Sequence, residues 1–473
     1  MTSTLGMHPL LLLPEMLLFV GGLAALLGGS FLARSRQWIT RVVAAVVLIG
    51  AAAAAVVIGV GGAQQAFEGT YAVDTATAVV RVVVALATLL VLGIASDEVV
   101  DSPRESETYA LLLFSAAGAC ILGGADDLMV LVVGFLLASI PMYGLIGMAG
   151  GARSAEAAMK AYLMGALFGI LLLLGVTILY GLSGTTGYAD LAHRLGDVPS
   201  AAAVAGVVAV VGGLMFKAGG VPGHFWVPDA AEGASATAAT FLTTVPKIGA
   251  VIAVYRLLAA LPPDRAWPLL IAALAVTGMT LGNLAAYWQD DPRRLLGWST
   301  VSQVGYLLVA VVVVRDSDLA LPALSVYLAG YAVTNVAAFA VTAALPDRRD
   351  LASYRGLSST HPWLAGALVV ALLGLVGTPP TAVFVGKLTV ATAAWDGGHA
   401  WLAVVLLVNT VLSLFYYLRW LAPAFRPARV PAVGTTATLP WSSWTAVVAA
   451  ALTVVLGVGA GVLWQVVDGP LIG

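Results

Sequence analysis

Val207-Val-Ala-Val-Val-Gly-Gly-Leu-Met-Phe-Lys-Ala-Gly-Gly-Val-Pro222 is an apolar, helix-forming run that contains a lysine and then stops on two glycines and a proline. The apolar stretch around it, residues 200–219, has the length of about 20 residues that spans the hydrocarbon of a bilayer. Gly219, Gly220 and Pro222 end it by removing helix propensity and a backbone N–H. A second run, near 362–388, is broken in a related way by Pro379, Pro380 and Gly386 and carries Lys387. In a membrane the backbone freed at such breaks must face protein or water. Broken helices at matching places in two halves point to an inverted-repeat transporter with a polar midplane, the alternative being an ordinary proline kink in each.

The rest of the chain has the same character. Of 473 residues 60% are hydrophobic and 10% charged, with a mean hydropathy of +0.99, whereas soluble globular chains are about 25% charged. No polar stretch is long enough for a soluble domain of ordinary size. A net charge of -2 provides no basic surface for nucleic acid. The single cysteine, Cys120, excludes disulfides, cysteine-ligated iron–sulfur clusters and thiolate zinc sites. The five histidines (His8, His193, His224, His361, His399) have no metal-binding spacing. Gly457-Val-Gly-Ala-Gly461 lies in an apolar run without a βαβ context and reads as packing glycine. The run Leu10–Leu32 is too long for a signal peptide and is interrupted by Glu15, so it reads as a first spanning helix.

Fourteen apolar runs follow one another, near residues 9–32, 40–60, 77–96, 107–124, 128–149, 156–182, 200–219, 236–260, 267–286, 295–314, 320–345, 362–388, 400–423 and 441–465. With the N-terminus outside, thirteen arginines fall in or beside inward loops, from Arg34, Arg36 and Arg41 through Arg293, Arg294, Arg348 and Arg349 to Arg419, Arg426 and Arg429. Only Arg194, Arg265 and Arg315 fall in outward ones, while Arg81 and Arg256 lie near or within spans. This asymmetry places both termini on the outer side of a membrane that the chain crosses many times.

Lysine is distributed in the opposite way. Lys160, Lys217, Lys247 and Lys387 are the only four among 22 basic residues, and each falls in or at the edge of a span. A lysine at the centre of a membrane helix costs about 2.5–3.5 kcal/mol, so four without partners would cost on the order of 10–14 kcal/mol. Such residues are expected to face one another, acids or water. Arginine keeps its proton in proteins, but lysine can release one when desolvated. The file therefore suits a proton relay; snorkelling to the interface is the competing reading for Lys160 and Lys247. Glu156 shares a helix face with Lys160, Asp229 and Glu232 follow the first break, and His224 could pass protons between Lys217 and Lys247.

These residues resemble a known family. Phe216-Lys-Ala-Gly-Gly-Val-Pro-Gly-His-Phe-Trp-Val-Pro-Asp-Ala-Ala-Glu-Gly233 and Phe241-Leu-Thr-Thr-Val-Pro-Lys247 are similar to the signature of the antiporter-like membrane subunits of respiratory complex I, with subunit N of bacterial NADH–quinone oxidoreductase the nearest pattern. Leu13-Pro-Glu15, Arg293-Arg-Leu-Leu-Gly-Trp-Ser-Thr-Val-Ser-Gln-Val-Gly-Tyr306, Ser353-Tyr-Arg-Gly-Leu357 and Gly377-Thr-Pro-Pro-Thr-Ala-Val-Phe-Val-Gly-Lys387 agree with it. The resemblance implies an all-α polytopic membrane fold of about fourteen helices, with an N-terminal three-helix segment (1–106), two inverted five-helix repeats (107–260 and 261–423), each with a broken helix, and a C-terminal helix (424–473). It implies Lys217 as the central lysine, Lys247 and His224 as connecting residues, Lys387 as the terminal lysine, and Lys160 at a further family position. It also implies that quinone, flavin and iron–sulfur clusters sit in partner subunits, and that the partners are other membrane-arm subunits, further antiporter-like ones among them.

The sequence departs from the family pattern in three places. The usual Glu-Gly-Ala-Pro-Thr-Pro reads Glu232-Gly-Ala-Ser-Ala-Thr237, and a histidine often found before Gly-Tyr is Gln303. The third bears on the mechanism. A glutamate usual on the fifth helix is Leu136 here, within Gly134-Phe-Leu-Leu-Ala-Ser139. Three functions follow as expectations. The chain is a proton-translocating membrane-arm subunit of an NADH–quinone oxidoreductase, with no redox chemistry of its own. Alternatively it belongs to a multisubunit cation/proton antiporter or a membrane-bound hydrogenase. The third is a structural subunit of the arm that does not pump, which the missing acid would favour.

Overall fold

The computed structural model describes residues 7–196, 199–262, 267–427, 438–469 and 471. Arg265 and Arg429, assigned above to loops, lie outside the described residues. The chain is almost wholly helical. The N-terminal segment holds α1 (Leu13–Phe31), α2 (Trp38–Val60) and α3 (Thr75–Glu98), with a short hairpin of β1 (Gln64–Ala66) and β2 (Tyr71–Val73) between the last two. Next come α4 (Glu105–Gly124), α5 (Leu128–Gly147), α6 (Gly151–Ser183), the short α7 (Tyr188–Gly196), α8 (Ser200–Ala218), the short α9 (Trp226–Gly233) and α10 (Ala236–Ala259). The second half holds α11 (Trp267–Ala286), α12 (Pro292–Val312), α13 (Ala320–Ala344), the single turn α14 (Leu357–Thr360), α15 (Pro362–Val376), α16 (Ala382–Asp396) and α17 (Ala400–Ala424). The chain closes on α18 (Pro440–Val458) and α19 (Ala460–Val467).

Among the described residues thirteen helices are long and apolar enough to cross a membrane. The half-helices α15 and α16 together make the remaining crossing, so the fourteen expected runs all have counterparts. The sequence reading ended the twelfth run at 388, but α16 continues to Asp396, which places Lys387 well inside the second half-helix. The last run is likewise divided, at Gly459. The hairpin and α7 had no hydropathy signal and were not expected.

Polar caps set the helix starts. The backbone N–H of Thr77 donates to Asp74 at 3.0 Å, those of Met129 and Val130 to Asp127 at 2.7 and 3.1 Å, and those of Arg293 and Arg294 to Asp291 at 2.8 and 2.9 Å, each satisfying N–H groups that a helix start leaves open. Asp291 lies outside the spans, and burial pushes its carboxyl up to about 6.

Helices α10, α12 and α13 form the centre of the bundle, buried along nearly all of their apolar length, while α1 and α2 lie at its rim. Small residues allow the central helices to touch backbone to backbone. A Cβ on Gly249 of α10 would lie 2.0 Å from the Ala119 carbonyl oxygen of α4, and one on Gly305 of α12 would lie 2.5 Å from the Met279 nitrogen of α11. Close approach of this kind drives helix association where lipid is as apolar as the side chains.

Two buried ion pairs tie the N-terminal segment together and to α10. Arg81 donates to Glu15 at 2.7 and 2.9 Å, and Tyr71 donates to the same carboxylate at 2.7 Å. Arg256 pairs with Asp74 and donates to Thr77 at 2.8 Å and to the Gly123 carbonyl at 2.7 Å. Glu15, which interrupts the first apolar run, is buried at 4% exposure and serves this pairing. Removing one member of a buried pair strands the other charge, which costs about 3–5 kcal/mol. Arg81→Met is expected to lower stability by that amount in thermal unfolding, and Glu15→Gln added to Arg81→Met to recover part of it. A double variant no more stable than the single would show that the two charges do not compensate each other.

Candidate functional site

The two helix breaks are built differently, and each sets its lysine in a different environment. In α8 the helix closes on Gly219, whose φ of 77° a side chain would resist. Its N–H donates to the Phe216 carbonyl at 3.1 Å and that of Gly220 to Met215 at 2.8 Å, so the break satisfies its own carbonyls. Trp226, at the start of α9, donates to Phe216 O as well, at 3.2 Å. Lys217 lies in the last turn before this closure and is 1% exposed. Its Nζ lies 4.0 Å from the Met142 Sδ and 5.9 Å from the centre of the Phe135 ring, both on α5.

At the second break, the donors that would normally bond the carbonyls of Leu375 and Val376 belong to Pro379 and Pro380, which have no N–H. The amine of Lys387 fills that gap, donating to Val376 O at 2.9 Å and to Leu375 O at 3.2 Å. It also lies 4.0 Å from the centre of the Tyr306 ring. Gln303 of α12 donates to the same Leu375 carbonyl at 2.9 Å and accepts from Tyr327 of α13 at 2.5 Å.

Lys247 lies between these sites in α10 and is 1% exposed, so it does not snorkel. Its Nζ donates to Tyr331 OH at 3.2 Å. Tyr331 in turn donates to the Thr243 carbonyl at 2.8 Å and lies 3.2 Å from the Thr300 hydroxyl. One helix turn along α13, Tyr327 belongs to the Lys387 group, and on α12 Thr300 and Gln303 are three residues apart. Facing turns of α12 and α13 thus carry polar groups from Lys247 to Lys387.

The other expected residues lie elsewhere. Lys160 is 46% exposed at its side chain and is held by Glu156 at 2.7 Å and by Asp229 at 2.9 Å. Arg294 also reaches Asp229, at 2.5 Å, and Glu232, at 2.9 Å, so Lys160 and Glu156 belong to an ionic cluster at the bundle edge. His224 is 2% exposed and packs on Phe225 and Trp298, with ring centres 4.2 and 5.6 Å away. Neither of its ring nitrogens makes a hydrogen bond of ordinary geometry with a described residue. Leu136 lies on the outer face of α5 and is 41% exposed. Among the described residues no carboxylate pairs with Lys217, Lys247 or Lys387.

Sequence reasoning assigned no role to Tyr306, Tyr327, Tyr331 or Thr300, and noted Gln303 only as standing where the family often has a histidine. The available signal was the i,i+4 spacing of Tyr327 and Tyr331, which sets two hydroxyls on one face of an otherwise apolar helix. A hydrogen bond to a charged group contributes about 1.5–3 kcal/mol. Tyr331→Phe keeps the ring and removes the hydroxyl, and is expected to slow proton translocation by about 10-fold or more, measured as acidification in vesicles holding the assembled complex.

Comparison with known proteins identifies the family. The family model described as NADH:quinone oxidoreductase/Mrp antiporter, transmembrane, matches residues 125–413. A protein of Mycobacterium sp. (strain JLS) named NADH-quinone oxidoreductase subunit N is 64% identical over 463 residues, covering 98% of this chain and 99% of its own. A Streptomyces griseus protein named NADH-quinone oxidoreductase subunit N 1 is 50% identical over 468 residues, with 98% of each chain covered. Among solved structures, a chain of respiratory complex I from Thermus thermophilus with bound aureothin superposes with a TM-score of 0.82 at 29% identity, over 97% of this chain and 100% of that one. A chain of the Mrp complex from Dietzia sp. DQ12-45-1b shares the fold, with a TM-score of 0.83 at 23% identity over 97% and 96% of the two chains. The chain belongs to the NADH:quinone oxidoreductase/Mrp antiporter membrane-protein family, in its NADH-quinone oxidoreductase subunit N branch.

Proposed function

We propose that Lys217, Lys247 and Lys387 act as successive proton carriers in this chain, a proton-translocating membrane-arm subunit of a bacterial NADH–quinone oxidoreductase. The observation that carries the reading is the pairing of these lysines with neutral groups only: a thioether, a tyrosine hydroxyl and two carbonyls. A lysine locked to a buried carboxylate would keep its proton, whereas one held by neutral groups can be occupied as ammonium or amine. Electron transfer takes place elsewhere in the complex, where partner subunits hold the quinone, flavin and iron–sulfur clusters, and this chain contributes no redox chemistry. It is held in the membrane arm by other helical subunits, including antiporter-like ones. Two inverted repeats, 107–260 and 261–423, flanked by 1–106 and 424–473, are the organisation the two breaks support. The arginine-rich loops face the cytoplasm and both termini the outer side of the plasma membrane.

Lys160, Glu156 and Asp229 sit where protons would arrive from the arginine-rich side, and His224 lies past the first break as a further carrier. A second reading, a structural subunit that does not pump, is favoured by one observation: Lys217 has no carboxylate partner among the described residues. Lys217→Met and Lys387→Met decide between them. Each variant, assembled into the complex in vesicles, is expected to lower the number of protons moved per NADH oxidised. An unchanged ratio in both would establish the structural reading.

A further inference from the structure

Away from the lysines, α2, α3, α13 and α19 surround an apolar cavity of about 500 Å³. It starts beside Gly62, Asp74 and Thr75, at the membrane face opposite the arginine-rich loops, and follows α3 as far as Val83. From Thr75 to Val83, eight residues at 1.5 Å each carry it about 12 Å into the span. Protein interiors hold few voids much larger than a water molecule, so a space of this size is one that another molecule fills.

The cavity opens sideways. Val56, Val60 and Val466 form its rim and are 54%, 83% and 71% exposed. Val56 and Val60 belong to α2, which lies at the edge of the bundle with most of its apolar length uncovered. The phase outside this mouth is therefore membrane hydrocarbon, and the wall inside it, with Val79, Val83 and Ala329, is apolar as well. The cavity is thus continuous with the lipid-facing surface of the chain.

The polar groups present suit a lipid better than a helix. Ser325 of α13 lies in the wall below the lip, five residues from the start of its helix, or about 7.5 Å along it. It is 0% exposed, and its hydroxyl has no hydrogen-bond partner among the described residues. An apolar helix packed into the cavity would leave that hydroxyl unpartnered. A glycerolipid carries ester carbonyls at the boundary between headgroup and hydrocarbon, and a serine hydroxyl can turn its proton toward such an acceptor. At the lip Asp74 is paired with Arg256, and no basic side chain lines the cavity among the described residues, so nothing there selects an anionic headgroup.

We propose that a phospholipid of the leaflet opposite the arginine-rich face seats one acyl chain in this cavity, between α2, α3, α13 and α19, with an ester carbonyl accepting from Ser325. The chain fills the space between the N-terminal segment and α13. The proposal is independent of the lysine relay.

The assembled complex in membrane vesicles tests it. The vesicles carry phosphatidylethanolamine with a photoreactive diazirine midway along one acyl chain, and adducts are mapped by mass spectrometry after irradiation and digestion. Adducts are expected at Val83 and Ala329 inside the cavity, and also at Val57, which faces lipid at 73% exposure and does not line it. Ala329→Phe fills the cavity and is expected to remove the Val83 adduct while keeping that at Val57. Ser325→Ala is expected to lower the Val83 adduct relative to Val57 by about 2- to 10-fold, the worth of one hydrogen bond. Labelling of Val57 without Val83 and Ala329 in the unaltered chain overturns the proposal in favour of a closed cavity or a partner helix. An unchanged Val83 adduct in either variant overturns it too. So does suppression by an excess of a long-tailed isoprenoid quinone but not by unlabelled phospholipid, which would make the occupant an isoprenoid chain.

Discussion

Hydrocarbon offers no hydrogen bonds, so each backbone carbonyl exposed by a helix break must find a donor within the protein. At the second break two successive prolines remove the donors for Leu375 and Val376, and the amine of Lys387 supplies the replacement. The requirement acts in both directions: the carbonyls give a buried amine the partners that make its burial tolerable. Gln303 joins the same carbonyl and, through Tyr327, connects the break to α13. The polar midplane thus grows out of the interruption of a single helix.

Arginine and lysine divide the remaining work. Arg81 and Arg256 are buried with carboxylates and carbonyls around them, and their planar, permanently charged groups pin α1, α3, α4 and α10 to one another. The three buried lysines meet neutral groups. A permanently paired charge is suited to holding helices in place, and an amine with neutral partners is suited to changing its protonation. The two kinds of site sit on opposite faces of α10, nine residues apart, so the helix that carries Lys247 is also anchored by Arg256. A relay needs this, since proton transfer between side chains tolerates only small changes in distance.

The fold is shared with a chain of the Mrp complex as well as with one of respiratory complex I. Architecture therefore does not specify the reaction, and the assignment of function falls to the residues at the breaks. Around Lys217, Phe135 and Met142 line the site and Leu136 turns outward. The Lys247–Lys387 half is fully furnished with polar groups.

Hydropathy alone determined the membrane class, the number of crossings and the two breaks, because a span requires a long local run of apolar residues and a break requires glycine or proline at one place. The restriction of lysine to the spans was equally visible, since composition by position needs no coordinates. What surrounds each lysine was decided by tertiary structure. Tyr331 approaches Lys247 from 84 positions along the chain, and Asn283 meets Asn409 from 126 positions away. Glu156 and Lys160 looked like a local pair and are one, but Asp229 and Arg294 join them only because α6, α9 and α12 converge at one edge. Periodicity reports which face of a helix is polar, while the identity of the neighbour on that face is fixed by helix packing, which depends on contacts between residues far apart in sequence.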